Sequence, residues 1–222
     1  MATITAIKGS LSLTGNAPIV SVPRIEPITI ADVEQQIRFS VTGQESHIEH
    51  LITSVREMCE GITRRSLIVK QEILTLDFFP CNRGYVELPG PPLRSVESIK
   101  YLDTDNVEQT LPTAEYKVVF NSRKPEQPSY IIPAYNYSWP TALNESDSIT
   151  INYTCGYGSI FNSVSNLYEV NEVPKAIKQW MLINIANLYE HPETIQVGTR
   201  IQMIEIPTLA NNLIANYKIA RW

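Results

Sequence analysis

Two histidines three positions apart, His47 and His50, are the residues of this chain that come nearest to a metal site. They are flanked by Glu45 and Glu49, and side chains three apart on a helix can reach the same ion. The apolar residues interleaved with them, however, define the buried side of the predicted helix, so that His50 points mainly to solvent and His47 lies at the margin. We therefore expect an exposed helix face here and no bound metal.

A second group of oxygen ligands, Asp103, Asp105 and Asn106, could suit calcium. The other ligands of an EF-hand loop do not follow them. Asp and Asn also favour tight turns between strands, because their side chains hydrogen-bond to the nearby backbone. A β-turn accounts for the same residues with fewer assumptions, and we expect no cofactor.

The usual catalytic signatures are missing from the sequence. It contains no G-x-x-x-x-G-K, G-x-G-x-x-G, G-x-S-x-G or H-E-x-x-H motif, which mark common phosphate, dinucleotide, acyl-transfer and zinc-protease sites. Three widely spaced cysteines, Cys59, Cys81 and Cys155, include no C-x-x-C pair. They favour free thiols in a reducing compartment over a disulfide or zinc framework. We expect a protein that is not an enzyme and has no catalytic or metal-binding residues.

The densest aromatic run of the chain comprises Tyr130, Tyr135, Tyr137 and Trp139. Such rings could form a stacking platform for sugars or bases. At strand spacing, aromatic side chains belong more often to a core or an interface. Both interpretations stay open, and the second is favoured.

The charge balance excludes a protein that binds nucleic acid over its whole surface. Charged residues make up 18% of the chain and the formal net charge is -5, whereas such a protein shows a basic excess. The basic pairs Arg64/Arg65, Arg123/Lys124 and Lys175/Lys178 are scattered among acidic residues. The first twenty residues lack the sustained apolar stretch of a signal peptide, so we expect no secretion.

One predicted helix, residues 173–191, organises the chain. Pro174 suits its first position and Pro192 ends it. Ten of the fourteen residues from Ala176 to Tyr189 are apolar and lie on more than one side of the helix. A segment of about 17 residues with several polar interruptions does not suit a membrane span. We expect it to lie between its own domain and a second layer, either of the same chain or of a neighbouring subunit.

The other elements are predicted from the spacing of the apolar residues and from the capping residues. Thr29 precedes a short helix, and Thr42 with Glu45 forms a capping-box pattern before an amphipathic helix of about 20 residues. From residue 67 the period becomes two, which places Leu74, Leu76 and Phe78 on the buried face of a strand. Further strands are predicted at 85–88, 95–102, 107–110, 116–120, 130–132 and 148–153, an extended or hairpin segment at 196–206, and a last short helix after Pro207.

These elements predict an α+β fold with an inserted antiparallel β domain. A small helical bundle comprises two N-terminal helices, one long central C-terminal helix and one short last helix, and the helices pack because each has an apolar face to cover. The predicted bounds are an extended arm at 1–28, the bundle at 29–66 and 173–222, the β domain at 67–158 and a linker loop at 159–172.

The order and spacing of several segments resemble a known family. The segments are ITIADVEQQIRFS, REMCEGITRRSLIVKQEILTLDFFP, VELPGPPLRSVESIKYLDTDNVEQTL, ITINYTCGYG, VPKAIKQWMLINIANLYEH, and the late Val197–Thr199 leading to IPTLANNLIANYK. Over residues 28–217 the chain resembles the head-tail connector (adaptor) proteins of tailed bacteriophages, in the gp6-like and gp8-like group.

The resemblance implies a virion structural protein that forms a ring, most often of twelve copies, on the portal vertex. Its partners would be other copies of itself, the portal protein and neck or tail proteins. Double-stranded DNA would pass without sequence-specific contact, and no membrane would be involved. Such a protein is located in the virion neck, and in the host cytoplasm during assembly.

In such a ring, helix 173–191 would contact both its own bundle and the adjacent subunit. Burial of Trp180 in the subunit's own core is an equal alternative to its place at an interface. A second functional hypothesis, from the residues alone, is a carbohydrate- or peptide-binding β module on a helical stalk, with its site at 130–139. The candidate interface residues are Ile177, Trp180, Met181, Tyr189, Leu213, Tyr217 and Trp222, and the candidate channel residues are Arg123, Lys124, Lys175 and Lys178.

Overall fold

A helical part and a β part make up the computed structural model of the protein, which confirms the predicted α+β class. The structure describes residues 25–81, 84–121, 127–162, 167–190, 195–196, 202–203 and 208–219. The helices are α1 (Ile30–Ile37), α2 (Glu45–Thr63), α3 (Lys175–Glu190) and α4 (Thr208–Ala215). The strands are β1 (Lys70–Leu76), β2 (Val86–Leu88), β3 (Leu93–Leu102), β4 (Glu108–Thr110), β5 (Tyr116–Val119), β6 (Ser129–Pro133), β7 (Ile149–Cys155), β8 (Gly158–Asn162), β9 (Leu167–Asn171), β10 (Ile195–Gln196) and β11 (Gln202–Met203).

The helices pack together around α3, as the apolar faces predicted. Val33 of α1, Ile48 and Ile52 of α2, and Ile214 of α4 share one buried core with the inner side of α3. α1 starts at the predicted cap, where the Thr29 hydroxyl accepts a hydrogen bond from Asp32 N at 3.2 Å.

The capping box predicted for α2 is wrong. Gln44 is the residue before the helix, and no side chain caps it. Glu45 Oε1 instead accepts a hydrogen bond from Gly43 N at 3.0 Å, and the hydroxyls of Thr42 and Ser40 pair at 2.9 Å. Gly43 has a φ of 86°, a conformation suited to glycine. The chain therefore turns between Thr42 and the helix, and the Thr42 side chain does not reach the helix end.

Two antiparallel sheets form the β part between α2 and α3. Their strand orders are β1-β7-β3-β4 and β2-β6-β5, so β1 and β2 are edge strands. Each of the six strands predicted between residues 85 and 153 is present, with ends shifted by at most two residues. The two sheets share a second core, with Ile99, Ile131, Ile149 and Ile151 fully buried.

The first strand is shorter than its hydrophobic pattern predicted. β1 ends at Leu76, and the alternation does not continue to Phe78, which is 68% exposed. Phe79 is buried in its place and stacks on Trp139, with the two ring centroids 4.8 Å apart. The two-residue alternation of β1 therefore does not extend to Phe78 and Phe79. Their side-chain directions depend on how the chain continues after the strand ends.

The segment after β7 also differs from the prediction. Residues 159–172 were expected to form a linker loop, but β8 and β9 pair as an antiparallel hairpin from Gly158↔Asn171 to Asn162↔Leu167. Further along, the expected extended segment contains the paired strands β10 and β11, and the last predicted helix is α4. The division of the chain into domains at the predicted bounds stays a prediction.

Close backbone contacts join the helical part to the β part. Ser66 N donates to Pro91 O at 3.2 Å, and Tyr157 N donates to Ser66 O at 3.2 Å. Gly156 has a φ of 105°, and a Cβ atom added to it would lie 1.9 Å from the carbonyl oxygen of Ile68. Only glycine fits this junction, which sets how α2 leads into β1.

Candidate assembly interface

The inner side of α3 belongs to the subunit's own core. Ile177, Trp180, Met181 and Ile185 each have 0% exposure in the single chain. Ile177, Trp180 and Met181 were candidate interface residues, and in the single chain all three are buried in the subunit's own core. The reason is that α1, α2 and α4 all pack against this side of the helix.

Trp180 is held by polar contacts as well as by packing. Its indole Nε1 donates to Asn211 Oδ1 at 3.4 Å, which links α3 to α4. The buried Asn184 donates from Nδ2 to the carbonyl oxygen of Trp180 at 2.7 Å. Asn184 is thus a satisfied core residue, although a polar side chain in this helix would have suggested an exposed position.

The opposite side of α3 is only half covered. Ala186 is half-buried on this side, between the exposed Lys175 and Gln179 around the helix, and the half-buried Leu182 and Ile183 flank these residues and also pack against the subunit's core. We call these five residues the outer strip. Since an α-helix has 3.6 residues per turn, Ala186 points about 180° away from the mean direction of the buried side. The outer strip is thus only partly covered by the subunit's own helices.

The start of α3 differs slightly from the prediction. The carbonyl oxygen of Pro174 accepts a hydrogen bond from Lys178 N at 3.1 Å, so Pro174 lies just before the first turn. Near the other end, Leu188 is 42% exposed, so the helix is not buried all round in the single chain.

The remaining interface candidates flank this strip or lie outside the described residues. Tyr189 and Leu213 are half-buried, and the Tyr189 hydroxyl contacts Gln44 Oε1 at 3.3 Å. Tyr217 is also half-buried, and its carbonyl oxygen accepts a hydrogen bond from Arg65 Nε at 2.7 Å. Trp222 lies outside the part of the chain that the structure describes.

The predicted channel residues do not form one described patch. Lys175 is exposed at the start of α3, whereas Lys178 is half-buried and lies near Asp32 of α1. Hydrogen bonds from Thr29 hold the pKa of the Asp32 carboxyl below its ordinary value, and the positive charge of Lys178 lowers that pKa further. Arg123 and Lys124 lie outside the described residues.

The oxygen and nitrogen ligands noted in the sequence are accounted for by local structure. His50 is exposed, as predicted, and His47, which was expected at the margin of the buried face, is exposed as well. The Asp103 carboxylate accepts hydrogen bonds from Asp105 N at 3.0 Å and Val107 N at 2.9 Å, which are the contacts of a turn. Within the described ranges, no three His, Cys, Asp or Glu residues come together as a metal site. Nor is any helix in those ranges both long and apolar enough for a membrane span.

The aromatic run is divided among different surroundings. Trp139 stacks on Phe79 and donates from Nε1 to the carbonyl oxygen of Gly84 at 2.7 Å. Tyr130 packs against Tyr85 with the ring centroids 5.3 Å apart. Tyr135 and Tyr137 are exposed, the first of them by 86%. Tyr130 and Trp139 are thus packed against other aromatic rings, whereas Tyr135 and Tyr137 are open to solvent.

A buried ion cluster around Arg56 was not anticipated from the sequence. Its Nε lies 2.9 Å from Glu26 Oε2, and its Nη1 lies 3.1 Å from Glu60 Oε2. Glu60 Oε1 also accepts a hydrogen bond from Leu67 N at 2.6 Å. The cluster fixes the first described residues of the chain on α2, beside the passage from α2 to β1. An arginine on an amphipathic helix gives no signal of this role, because Glu26 is thirty positions away.

The three thiols should differ sharply in reactivity. Cys81 is exposed, whereas Cys59 and Cys155 are buried. Burial raises the pKa of Cys59 to about 12 and that of Cys155 to about 11. Because the thiolate is the reactive form, we expect Ellman's reagent at pH 8 to label one thiol rapidly in the native chain and three in urea. The variant Cys81→Ser should show no rapid native labelling, and rapid labelling of a second native thiol would contradict this assignment.

Comparison with solved structures finds a similar fold in chains of gene transfer agent (GTA) particles. A chain of the virion of a native gene transfer agent (GTA) particle matches with a TM-score of 0.62 and 19% identity, over 94% of this chain and 95% of that one. A chain of the neck of an empty GTA particle, computed with C6 symmetry, matches with a TM-score of 0.60 and 18% identity over the same shares. A chain of the neck of a native GTA particle, computed with C12 symmetry, gives 0.56 and 17% over 90% and 97%. No protein-family model and no curated protein matches the chain. At these identities the likeness shows a shared fold.

Proposed function

We propose that the protein is a structural component of the neck of a phage-like particle and acts as a head-tail adaptor. The observation that carries this proposal is the likeness to GTA virion and neck chains over nine-tenths or more of the sequence, with both the helical and the β part included. In this role the protein performs no catalysis. Its narrower assignment to the gp6-like and gp8-like connectors stays a prediction.

The adaptor forms a closed ring in which copies contact one another head to tail. One face of each subunit then contacts a different face of the next subunit. Such contacts close into a ring when the rotation between neighbouring subunits is a whole fraction of a full turn. The outer strip of α3 supplies one of these faces, since Ala186 points away from the subunit's own core and Leu182 and Ile183, which pack against the edge of that core, are only half-buried. A ring of twelve copies is proposed, in agreement with the C12 symmetry of one neighbour's neck.

The ring docks on the portal protein, extends the DNA channel and presents a surface to neck or tail proteins. A net charge of -5 suits such a channel, because double-stranded DNA must slide through it and not bind. Contacts with the DNA carry no sequence specificity in this proposal. The protein is then part of the mature virion, at the portal vertex, and passes through the host cytoplasm during assembly.

Incubation with the cognate portal protein, followed by electron microscopy, tests this proposal. We expect a ring of the chain on one end of the portal, and Ala186→Glu should reduce the occupied fraction at least about tenfold, because it buries a charge in the contact between subunits. Ala114→Glu is the matched control, since Ala114 is exposed in the β part, and it should assemble normally.

The absence of density on the portal, when the wild-type chain is in excess, would oppose the adaptor proposal. Normal ring formation by Ala186→Glu would exclude the outer strip as the contact between subunits and leave the adaptor role standing.

A further inference from the structure

The outer faces of the two sheets lie on opposite sides of the β part. Ile151 of β7 and Ile99 of β3 point from the four-stranded sheet into the shared core, and Ile131 of β6 points into it from the three-stranded sheet. Neighbouring residues of a strand point to opposite faces of its sheet. The residues next to these isoleucines therefore face away from the core, on two opposite surfaces.

The outer face of the four-stranded sheet is mainly polar. Hydroxyl and amide side chains make up most of it, among them Thr75, Ser98, Thr110, Thr150 and Asn152. We call this surface the hydroxyl face. Such a composition is usual for the solvated face of an antiparallel sheet. Ile73 on the same face differs, because it is an apolar side chain with 59% exposure.

The outer face of the three-stranded sheet is largely apolar. It comprises Tyr85, Glu87, Lys117, Val119, Tyr130 and Ile132, which we call the tyrosine face. The Tyr85 side chain is 57% exposed, and its ring centroid lies 5.3 Å from that of Tyr130. A sheet that buries one face in a core normally presents polar residues on the other face. Aromatic residues on that second face are typical of a contact with another protein surface.

An apolar side chain and a carboxylate lie two strands apart on the hydroxyl face. Ile73 of β1 aligns with Asn152 of β7, and Asn152 Nδ2 donates to Ser98 Oγ of β3 at 3.1 Å. The exposed Glu97 precedes Ser98, and its Oε1 accepts a hydrogen bond from Thr154 Oγ1 at 2.6 Å. Since neighbouring strands are about 4.8 Å apart, roughly 10 Å separate Ile73 from Glu97.

The tyrosine face repeats this spacing with the opposite charge. Lys117 of β5 aligns with Ile132 of β6, and Val86 of β2 aligns with Ile131, so Tyr85 falls beside Ile132. Tyr85 and the exposed Lys117 are thus also two strands, or roughly 10 Å, apart. One face presents an ammonium group and the other a carboxylate, each at the same distance from an exposed apolar side chain. The two faces are therefore complementary in charge and in apolar contact.

We propose that the tyrosine face of each copy packs against the hydroxyl face of the next copy in the ring. Here the inference rests on the proposed function. In a head-to-tail ring of many copies, each subunit is turned only slightly relative to the next, so its two contact faces must lie on nearly opposite sides. The two outer faces of the β part meet this requirement. The contact joins neighbouring β parts, in addition to the contact at the outer strip of α3.

Photo-cross-linking of the full-length chain tests this contact. Lys117→Cys places a thiol on the tyrosine face, Cys81→Ser removes the exposed native thiol, and the other two thiols are buried. Benzophenone maleimide attached to the new thiol then marks whatever lies against this face in rings formed on the portal. Isotope-labelled acceptor copies without the probe distinguish adducts between copies from adducts within one chain. We expect adducts on β1, β7 or β3 of a second copy.

A matched pair of variants in the acceptor copies checks the role of Ile73. Ile73→Lys should reduce the adducts at least about tenfold, because it buries an ammonium group against the apolar side chains of the tyrosine face. Val107→Lys is the control, since Val107 is 52% exposed at the turn between β3 and β4, and it should leave the adducts unchanged. Equal yields from both variants would contradict the contact at Ile73.

The outcomes separate this inference from the adaptor proposal. The same probe is also used on the concentrated free chain, without portal. Adducts on the four-stranded sheet of a second copy, with no rings on the portal, would support the sheet contact and reject the adaptor role. Rings without adducts would overturn the sheet contact and leave the adaptor role standing. Adducts only within one chain, on the portal or elsewhere on a second copy would overturn it in the same way, and the absence of both rings and adducts would reject both proposals.

Discussion

Replacing Gly156 with alanine should lower the free energy of unfolding by about 4 kcal/mol or more. The added Cβ would lie 1.9 Å from the carbonyl oxygen of Ile68 and 2.6 Å from its carbonyl carbon. No rotation of a side chain can relieve this overlap, because both atoms belong to the backbone. The φ of 105° is also one that alanine rarely adopts. The backbone at the junction of the helical and β parts must therefore move.

Thermal unfolding followed by circular dichroism measures this effect. For a chain of this size, about 4 kcal/mol corresponds to a fall in Tm of roughly 10 °C. Gly61→Ala is the matched control, because Gly61 lies within α2 and a Cβ there meets no atom within 4 Å. It should stabilise the chain by about 0.5–1 kcal/mol through its higher helix propensity. A Gly156→Ala chain that unfolds within about 2 °C of the wild type would contradict the junction described above.

Arg56→Met should destabilise the chain by about 3–5 kcal/mol, because it leaves two partly buried carboxylates without their cation. Arg56 has 4% side-chain exposure, and its partners Glu26 and Glu60 have 27% and 16%. Methionine retains most of the packing of the aliphatic part of the arginine side chain. The loss of stability therefore reports mainly on the missing positive charge. The loss of the contact to Glu26 should also release the start of the described chain from α2.

Urea unfolding and hydrogen exchange of residues 25–28 together test the Arg56 cluster. Glu57→Gln is the control, since Glu57 is 64% exposed and 3.4 Å from the guanidinium. An exposed pair of this kind contributes about 0–1 kcal/mol, so the control should unfold close to the wild type. Equal stability of Arg56→Met and Glu57→Gln would show that the buried contacts add nothing.

Local patterns predicted the elements of this fold well, because helix and strand periods depend on near neighbours in sequence. The alternation of β3 and β7 and the Thr29 cap of α1 are examples. The failures have equally local causes. Phe78 follows the end of β1, where a period of two no longer applies, and the β8–β9 hairpin is made by backbone pairing that its residue types do not report.

The candidate site was harder to predict, because it depends on contacts between distant residues. The sequence indicated that α3 is unusually apolar. It allowed two places for Trp180, an interface between subunits and the subunit's own core. The structure decided for the core, where Asn211 of α4 accepts from the indole. Arg56 and Glu60 have the i,i+4 spacing of a helical ion pair, but the contact to Glu26, which lies before α1 and thirty positions away, had no sequence signal.

The sequence by itself determined the α+β class, the order of the elements and the apolar character of α3, because each follows from residues a few positions apart. Only the tertiary structure decided which side of α3 is buried in the subunit's own core and which side is only half-buried, at Leu182, Ile183 and Ala186. The physical reason is that the burial of a helix face depends on which other helices surround it. That arrangement is set by the packing of the whole bundle and by the close junction at Gly156.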